Sequence, residues 1–341
     1  MGVLLLAACG NDGDDTASSS EAGGSATEAA GSSAEAGASE AAAPVSVTDG
    51  LGRTVTLDQP AERIACRDSG CSLVLAELGL VPVATFFEPN RAAFYYGEES
   101  IGDITFAPDG PENTIATEPD LLVINLREAD LNLEQYEVLI PTYVIDDSGN
   151  LAENAAKLTA DIAALSDRVV EGEQSIAEWE RFVGSLAEIE ISGVEDVRLL
   201  QLWGGAPDSY QGWMSNSDWC VLLDDLDLVG QCVFDPPVPG SDFSEFSAEA
   251  ILAEQPTHIS YLLEWQYGGE FPQPEDRTDP TWSQLDAVAA GNVYVVPSTG
   301  NFANAYHEII YELENYLFHV YGPAQGFEDP GPFTEWDGPS L

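Results

Sequence analysis

The feature that most constrains the fold is an internal repeat. Glu112-Asn-Thr-Ile-Ala-Thr-Glu-Pro119-Asp-Leu-Leu-Val-Ile124 and Glu249-Ala-Ile-Leu-Ala-Glu-Gln-Pro256-Thr-His-Ile-Ser-Tyr261 follow one plan. Each has a Glu, a short helical stretch, a Pro seven residues after the Glu, and a run that reads as a strand. An acid near a helix start is favoured by the helix dipole, which explains either Glu taken alone. Both copies together imply two similar lobes. Between them lies helical periodicity. Leu151, Ala155, Leu158, Ile162, Leu165 and Val169 step by four or three, and Ile176, Trp179, Phe182, Val183, Leu186 and Ile189 continue after Gly172. The part from Asp167 to Glu190 predicts a helix roughly 35 Å long at 1.5 Å per residue, enough to reach across a small domain.

The flanking segments alternate strand and helix signals. Val45 to Leu57 reads as a β-hairpin turning at Asp49-Gly50 and Gly52. Arg63-Ile64-Ala65, Val81 to Phe87, Leu121 to Ile124 and Tyr143-Val144-Ile145 read as strands, and Ser72 to Leu78 as a helix stopped by Gly79. After Gly193, Val197 to Leu202, Thr257 to Leu263 and Val293 to Val296 read as strands. Trp219 to Leu228, Ala248 to Glu254, Thr281 to Ala290 and Ala305 to Val320 read as helices. The expected fold class is α/β: two Rossmann-like lobes with mostly parallel sheets, joined by one long α-helix. The expected segments are a first lobe over 45–150, a helical region over 151–190, a second lobe over 191–322 and an acidic Pro/Gly tail over 323–341.

Charge excludes several partners. Among 341 residues there are 60 acids and 10 bases, a formal charge of −50. Nucleic acid needs clustered Lys and Arg, and so does docking on anionic lipid. The acids are spread along the chain, as suits a self-repelling, solvated surface in high salt.

The N-terminus supplies an address. Val3 to Ala8 is too short to span a bilayer, and with Leu6-Ala7-Ala8-Cys9-Gly10 it resembles the bacterial lipobox, in which the Cys is lipidated. Residues 1–9 are thus read as a lipoprotein signal segment, although no basic n-region precedes the apolar run. Residues 10–44 are rich in Gly, Ala, Ser and acids and lack aromatics, as a flexible spacer would be. With Cys9 as the lipidation site, Cys66, Cys71, Cys220 and Cys232 remain. Their order suggests Cys66–Cys71 and Cys220–Cys232, while four Cys permit three pairings. Disulfides fit an extracytoplasmic location; a Cys₄ zinc site is the rival, without the paired C-x₂-C spacing of zinc ribbons.

Taken in order, these motifs resemble a known family. Thr48-Asp49, Gly52-Arg53-Thr54-Val55-Thr56-Leu57 and Pro60-Ala61-Glu62-Arg63-Ile64 are similar to its opening. Leu78-Gly79-Leu80, Ile101-Gly102, Glu112 to Asp120, Trp282 to Val288 and Gly291-Asn292-Val293-Tyr294 follow. The chain resembles, from Val47 to about Val320, the substrate-binding lipoproteins of ABC importers for ferric siderophores, haem and cobalamin. The resemblance implies a ligand cleft between two lobes held by a stiff helix, with little closure. It also implies that one Glu at each lobe tip, here Glu112 and Glu249, docks on Arg residues of the permease. The implied partners are that permease and its ATPase, with a lipid anchor as the only membrane contact and a monomeric state. The implied ligand is an iron(III)-siderophore chelate, with cobalamin or haem as the alternative, and no resident cofactor.

Ligands of open α/β sheets lie beyond the carboxyl ends of the strands. The residues placed there are Arg67, Phe87, Arg91 and Arg127 in the first lobe, and Trp203, Tyr210, Trp213, Trp265 and Phe302 in the second. Arg pairs with carboxylate or hydroxamate oxygens, and aromatic faces pack on a bulky chelate. Direct metal binding would need several converging His, and only His258, His307 and His319 exist, with His307 the one that could face the cleft. No G-x-S-x-G, P-loop, H-E-x-x-H or Rossmann fingerprint is present, so an enzyme, such as an acidic hydrolase with paired carboxylates, is the weaker reading.

Overall fold

The computed structural model describes residues 44–106, 110–146, 150–204, 209–236, 241–264, 273–274, 277–298 and 305–331. Cys9, the spacer up to residue 43 and the tail after residue 331 lie outside the described residues.

The first lobe opens with the predicted hairpin, β1 (Val45–Thr48) antiparallel to β2 (Thr54–Leu57). Its turn covers the edge of the neighbouring sheet. Gly50 donates its N–H to Val144 O at 2.7 Å, and the Arg53 guanidinium donates to Thr142 O at 3.1 Å. The edge strand's free carbonyls, a liability in a sheet, are thereby satisfied. The sheet itself contains β3 (Ile64–Cys66), β4 (Ala84–Thr85), β5 (Thr105–Phe106), β6 (Leu121–Ile124) and β7 (Thr142–Val144), all parallel, in the order β5-β4-β3-β6-β7. Its helices are α1 (Ser69–Glu77), α2 (Pro89–Tyr96), α3 (Gly110–Ile115) and α4 (Leu126–Tyr136). The stop signal at Gly79 acts as expected. Gly79 has φ +66°, its N–H reaches Ala76 O, and Leu80 N–H reaches Leu75 O, the paired bonds of a Schellman cap. The expected strand over Val81 to Phe87 shrinks to two residues, because Phe86 to Pro89 turn at once into α2.

Two helices, α5 (Leu151–Leu165) and α6 (Val169–Leu186), then join the lobes. The connecting helix is α6, about 27 Å long rather than 35 Å, because Asp167 at φ +57° precedes it and it ends at Leu186. It does not act alone. Leu151 and Ala155 of α5 pack in the second-lobe core, while Leu158, Ile162 and Leu165 pack in the first. On α6, Gly172 faces Ala163 and Leu78, and Trp179 enters the second core.

The second lobe contains β8 (Arg198–Trp203), β9 (Tyr210–Trp213), α7 (Asp218–Asp225), β10 (Gln231–Cys232), β11 (Phe243–Phe246), α8 (Ala248–Glu254), β12 (His258–Glu264), α9 (Asp286–Ala290), β13 (Val293–Ser298) and α10 (Tyr306–Tyr321). The sheet order is β11-β9-β8-β12-β13, with β10 also on β8; β9 pairs antiparallel to both β8 and β11. Gly212 allows β9 to lie so close. A Cβ there would stand 2.0 Å from Gln201 O. Gly212→Ala should therefore lower the melting temperature by about 2–10 °C through overpacking. Thermal unfolding checks this, and an unchanged transition would contradict the β8–β9 packing.

The repeat is structural. Strands β3, β6 and β7 lie side by side in parallel, as do β8, β12 and β13. Glu118 and Gln255, each just before the repeated Pro, are both left-handed, at φ +50° and +43°. Arg63 donates to the carbonyls of Thr117 and Glu118, and Arg198 donates to that of Glu254. Asp120 accepts the N–H of Arg63, and Thr257 Oγ1 accepts that of Arg198. Each lobe thus clasps the end of its short repeat helix with an Arg at the start of its central strand, Arg63 just before β3 and Arg198 as the first residue of β8. Both short-range disulfides are present. Cys66–Cys71 ties the end of β3 to the first turn of α1, and Cys220–Cys232 ties α7 to β10.

Candidate functional site

The carboxyl ends of β3 and β6 are joined by two helix caps. Asp68 caps α1 by accepting the Gly70 N–H at 2.7 Å, and Asn125 caps α4 by accepting the Glu128 N–H at 2.9 Å. The two caps touch, with Asn125 Nδ2 donating to Asp68 Oδ2 at 3.1 Å. Asp68 is half-buried, and desolvation raises its pKa against the bonds from Asn125, Gly70 and Cys71 and the charge of Arg91. Arg67 sits on the same rim. Its Nε lies 3.1 Å from Glu128 Oε1, and Nη1 donates to Thr114 Oγ1 at 3.4 Å. Glu128 also accepts from Tyr136 and Asn132 and is thereby fixed. Arg127, on the first turn of α4, is exposed and has no ion pair among the described residues.

Arg91 is the unusual member of the group. It follows the end of β4 in the first turn of α2 and is only 4% exposed. Its guanidinium lies over the Phe87 ring, 3.9 Å from the centroid, and Phe87 is itself buried. Nη2 stands 4.0 Å from Glu308 Oε1 of α10, too far for a hydrogen bond. Neither Nε nor Nη2 has a hydrogen-bond acceptor among the described residues. A buried cation with two unsatisfied donors is costly, and an anionic oxygen brought to it would satisfy both.

In the second lobe, Trp203 and Trp213 share one face of the sheet and meet Phe243. Ring centroids lie 6.3 and 5.0 Å from Phe243, which is 38% exposed. Tyr210 lies on the opposite face by strand alternation, buried against Trp282 and donating to Asp279 at 2.5 Å. Burial pushes its phenol pKa up, with Asp279 adding to the shift. Trp265 and Phe302 lie outside the described residues.

Sequence reasoning missed three features. Gln201 is 2% exposed on the face shared with Trp203, and neither of its amide atoms has a partner; Trp203 Nε1 is also unpartnered among the described residues. Arg277 lies 4.5, 5.9 and 5.2 Å from the ring centroids of Tyr210, Tyr261 and Trp282 and donates to Ser209 O. Glu308 brings α10 to Arg91. Nothing local in the sequence signals these, since each depends on pairing between distant segments.

The histidines occupy separate places. His258 lies beside Thr257 Oγ1, His319 stacks on Tyr294 at 5.1 Å, and His307 offers its backbone N–H to Glu77. Among the described residues no group of three or more His, Cys, Asp or Glu converges to hold a metal ion. A groove of about 480 Å³ lined by Arg53, Thr56 and Glu137 to Thr142 lies at the amino end of β7, away from these strand ends.

Two α/β lobes of repeated topology, with polar and aromatic side chains beyond the strands' carboxyl ends, define a bilobal ligand-binding protein. Residues 89–299, more than half of the chain, match the family described as "Periplasmic binding protein", and the chain belongs to that family. Its members bind ligands rather than transform them, so the chain is a binding protein and not an enzyme. Among solved structures it is similar to the siderophore-binding protein BauB bound to ferric iron and acinetobactin. That match has TM-score 0.63 and 16% identity, covering 78% of this chain and 95% of that one. It is also similar to the catecholate-siderophore-binding protein VctP from Vibrio cholerae, with TM-score 0.62, 16% identity, and 82% and 99% covered. SirA from Staphylococcus aureus, complexed with staphyloferrin B, matches with TM-score 0.59, 18% identity, and 80% and 97% covered. No curated protein sequence matches the chain. No helix among the described residues is long and apolar enough to cross a membrane.

Proposed function

We propose that this protein is the extracytoplasmic binding component of an ABC importer, capturing a ferric siderophore and delivering it to a permease. The observation that carries this reading is Arg91, a buried guanidinium at a strand's carboxyl end with two donors unsatisfied. Ferric chelates present anionic oxygens around iron, and a planar guanidinium pairs with such oxygens two at a time. Arg67 and Arg127 place two more positive charges on the same rim of a chain whose net charge is −50. Local attraction there does not require a basic protein. Trp203, Trp213 and Phe243 supply an aromatic wall from the second lobe for the organic part of the chelate. The ligands named for BauB, VctP and SirA are siderophores or their ferric complexes, which supports the class. Glu112 and Glu249 are proposed as the permease contacts and Cys9 as the lipid anchor. A monomer acting with the permease and its ATPase is the proposed assembly.

Tryptophan fluorescence of the full chain tests the reading. Titration with ferric hydroxamate, ferric catecholate, haem and cobalamin should give saturable submicromolar quenching with one of the ferric chelates. Quenching by haem or cobalamin alone would overturn the siderophore reading. Silence with all four would overturn every ligand of this class.

A further inference from the structure

The lobes meet at the N-terminus of α10, and the group that holds it comes from the first lobe. Ala305, at the N-cap position of α10, has no side chain able to cap. Glu77, the last residue of α1, takes that place across the lobe boundary. Its Oε1 accepts the His307 N–H at 2.7 Å, and its Oε2 accepts the Ser175 hydroxyl of α6 at 2.9 Å. One carboxylate, 5% exposed, therefore joins α1, the connecting helix and α10. The next residue of α10, Glu308, accepts the Tyr95 hydroxyl of α2 and faces Arg91. The first turn of α10 is thus gripped twice from the first lobe, and the second grip adjoins the proposed ligand-binding guanidinium.

We propose that Glu77 is a positioning residue: by capping α10 across the lobe boundary it sets the second lobe against Arg91, and uptake of one proton by this carboxylate loosens that grip. The significance for the ligand rests on the proposed role of Arg91; the grip itself does not. The titratable and charged groups facing Glu77 are Glu178 on α6 and Glu308 and Tyr306 on α10, with Arg91 and Tyr95 of α2 approaching Glu308 from the far side. Among the described residues no cationic side chain is hydrogen-bonded to Glu77. Burial first, then Glu308 and Glu178, push its pKa up to about 7, against the bonds from His307 and Ser175. The proton therefore exchanges near neutral pH.

The direction separates two effects. A carboxyl whose folded pKa lies above its unfolded value costs stability when ionised. That cost is fully present above about pH 7 and fades as the pH falls toward the ordinary carboxyl value of 4.5. Acid should therefore make this group less destabilising for the fold. The cap responds in the opposite sense, because a carboxylate accepts the His307 N–H at the positive helix end more strongly than a neutral acid does. Glu77→Gln keeps an acceptor for His307 and removes the titration.

Hydrogen exchange over the first turn of α10 in the ligand-free full chain, corrected for intrinsic pH dependence, is the test. In the wild type, protection should fall about fivefold between pH 8.5 and 5.5, the scale of a lost cap. In Glu77→Gln it should be flat across that range. In Glu77→Ala, exchange should be about tenfold faster at both pH values, with both bonds gone. The thermal transition of the wild type should rise relative to Glu77→Gln on acidification. Equal pH profiles in wild type and Glu77→Gln would overturn the proposal, even if Glu77→Ala does not fold. No arm requires ligand, so the result stands apart from the siderophore assignment.

Discussion

Arg91→Met should weaken capture of the ferric chelate by about a hundredfold or more while leaving the protein folded. Removing one member of a desolvated charge pair typically costs 2–5 kcal/mol or more, roughly 30-fold to several thousandfold in affinity. Here the guanidinium is 4% exposed, so solvent does little to screen it. Met keeps an apolar stem for the Phe87 ring, which Arg91 now covers at 3.9 Å. It removes the donors and the charge that favours the ionised form of half-buried Asp68. The Asp68 carboxyl should then be pushed up further, and its caps with Gly70 and Asn125 would rest on a group harder to ionise. Arg91→Lys should rescue only part of the loss, because an ammonium is a point donor without the fork that two chelate oxygens match. Calorimetric titration of both variants with the chelate that quenches the wild type gives the comparison. Affinity within threefold of wild type in Arg91→Met would remove Arg91 from the site.

How far the site was legible follows from where its residues gain their positions. The lobes were readable because the Glu-to-Pro repeat survives in two copies and each copy encodes a helix, a left-handed residue and a strand. Arg67, Phe87, Arg91 and Arg127 were readable as strand-end residues because short parallel strands place whatever follows them on the rim. Tyr210 stands near Trp203 and Trp213 in sequence, yet it lies three residues from Trp213 on β9, and the two-residue period of a strand sends it to the opposite face. The Asn125–Glu128 spacing is a capping-box pattern and could have marked the start of α4. Glu77 and Glu308 carried no such mark. They look like ordinary helix acids among 60, and only the approach of α10 to α1 and α2 takes them out of water. Burial between distant elements is what sequence periodicity does not encode.

Reversing both proposed docking acids, Glu112→Arg with Glu249→Arg, should abolish uptake and leave ligand affinity unchanged. Both residues are exposed and in the first turns of short helices, α3 and α8, and neither forms an ion pair among the described residues. An isolated surface pair contributes little, with a median of about 0–1 kcal/mol, so single neutralisations should be mild. Reversal is different, because like charges set against each other cost several kcal/mol, here at one point on each lobe. The two points are equivalent in the duplicated fold: 249 − 112 = 137, and the left-handed residues that follow differ equally, 255 − 118 = 137. Each helix is clasped at its far end, α3 by Arg63 on the carbonyls of Thr117 and Glu118, and α8 by Arg198 on that of Glu254. Those clasps fix the direction in which each helix presents its acid, and the α5–α6 pair fixes one lobe relative to the other. A rigid pair of charges at a set spacing recognises a partner with matching cations by register, which is why the double reversal should exceed the sum of the single ones. Uptake of the labelled chelate by cells expressing each variant, set beside calorimetry on the purified protein, separates delivery from capture. Lost affinity in the double variant would place these acids in the ligand site or the fold, and undiminished uptake would leave them as helix-start acids and nothing more.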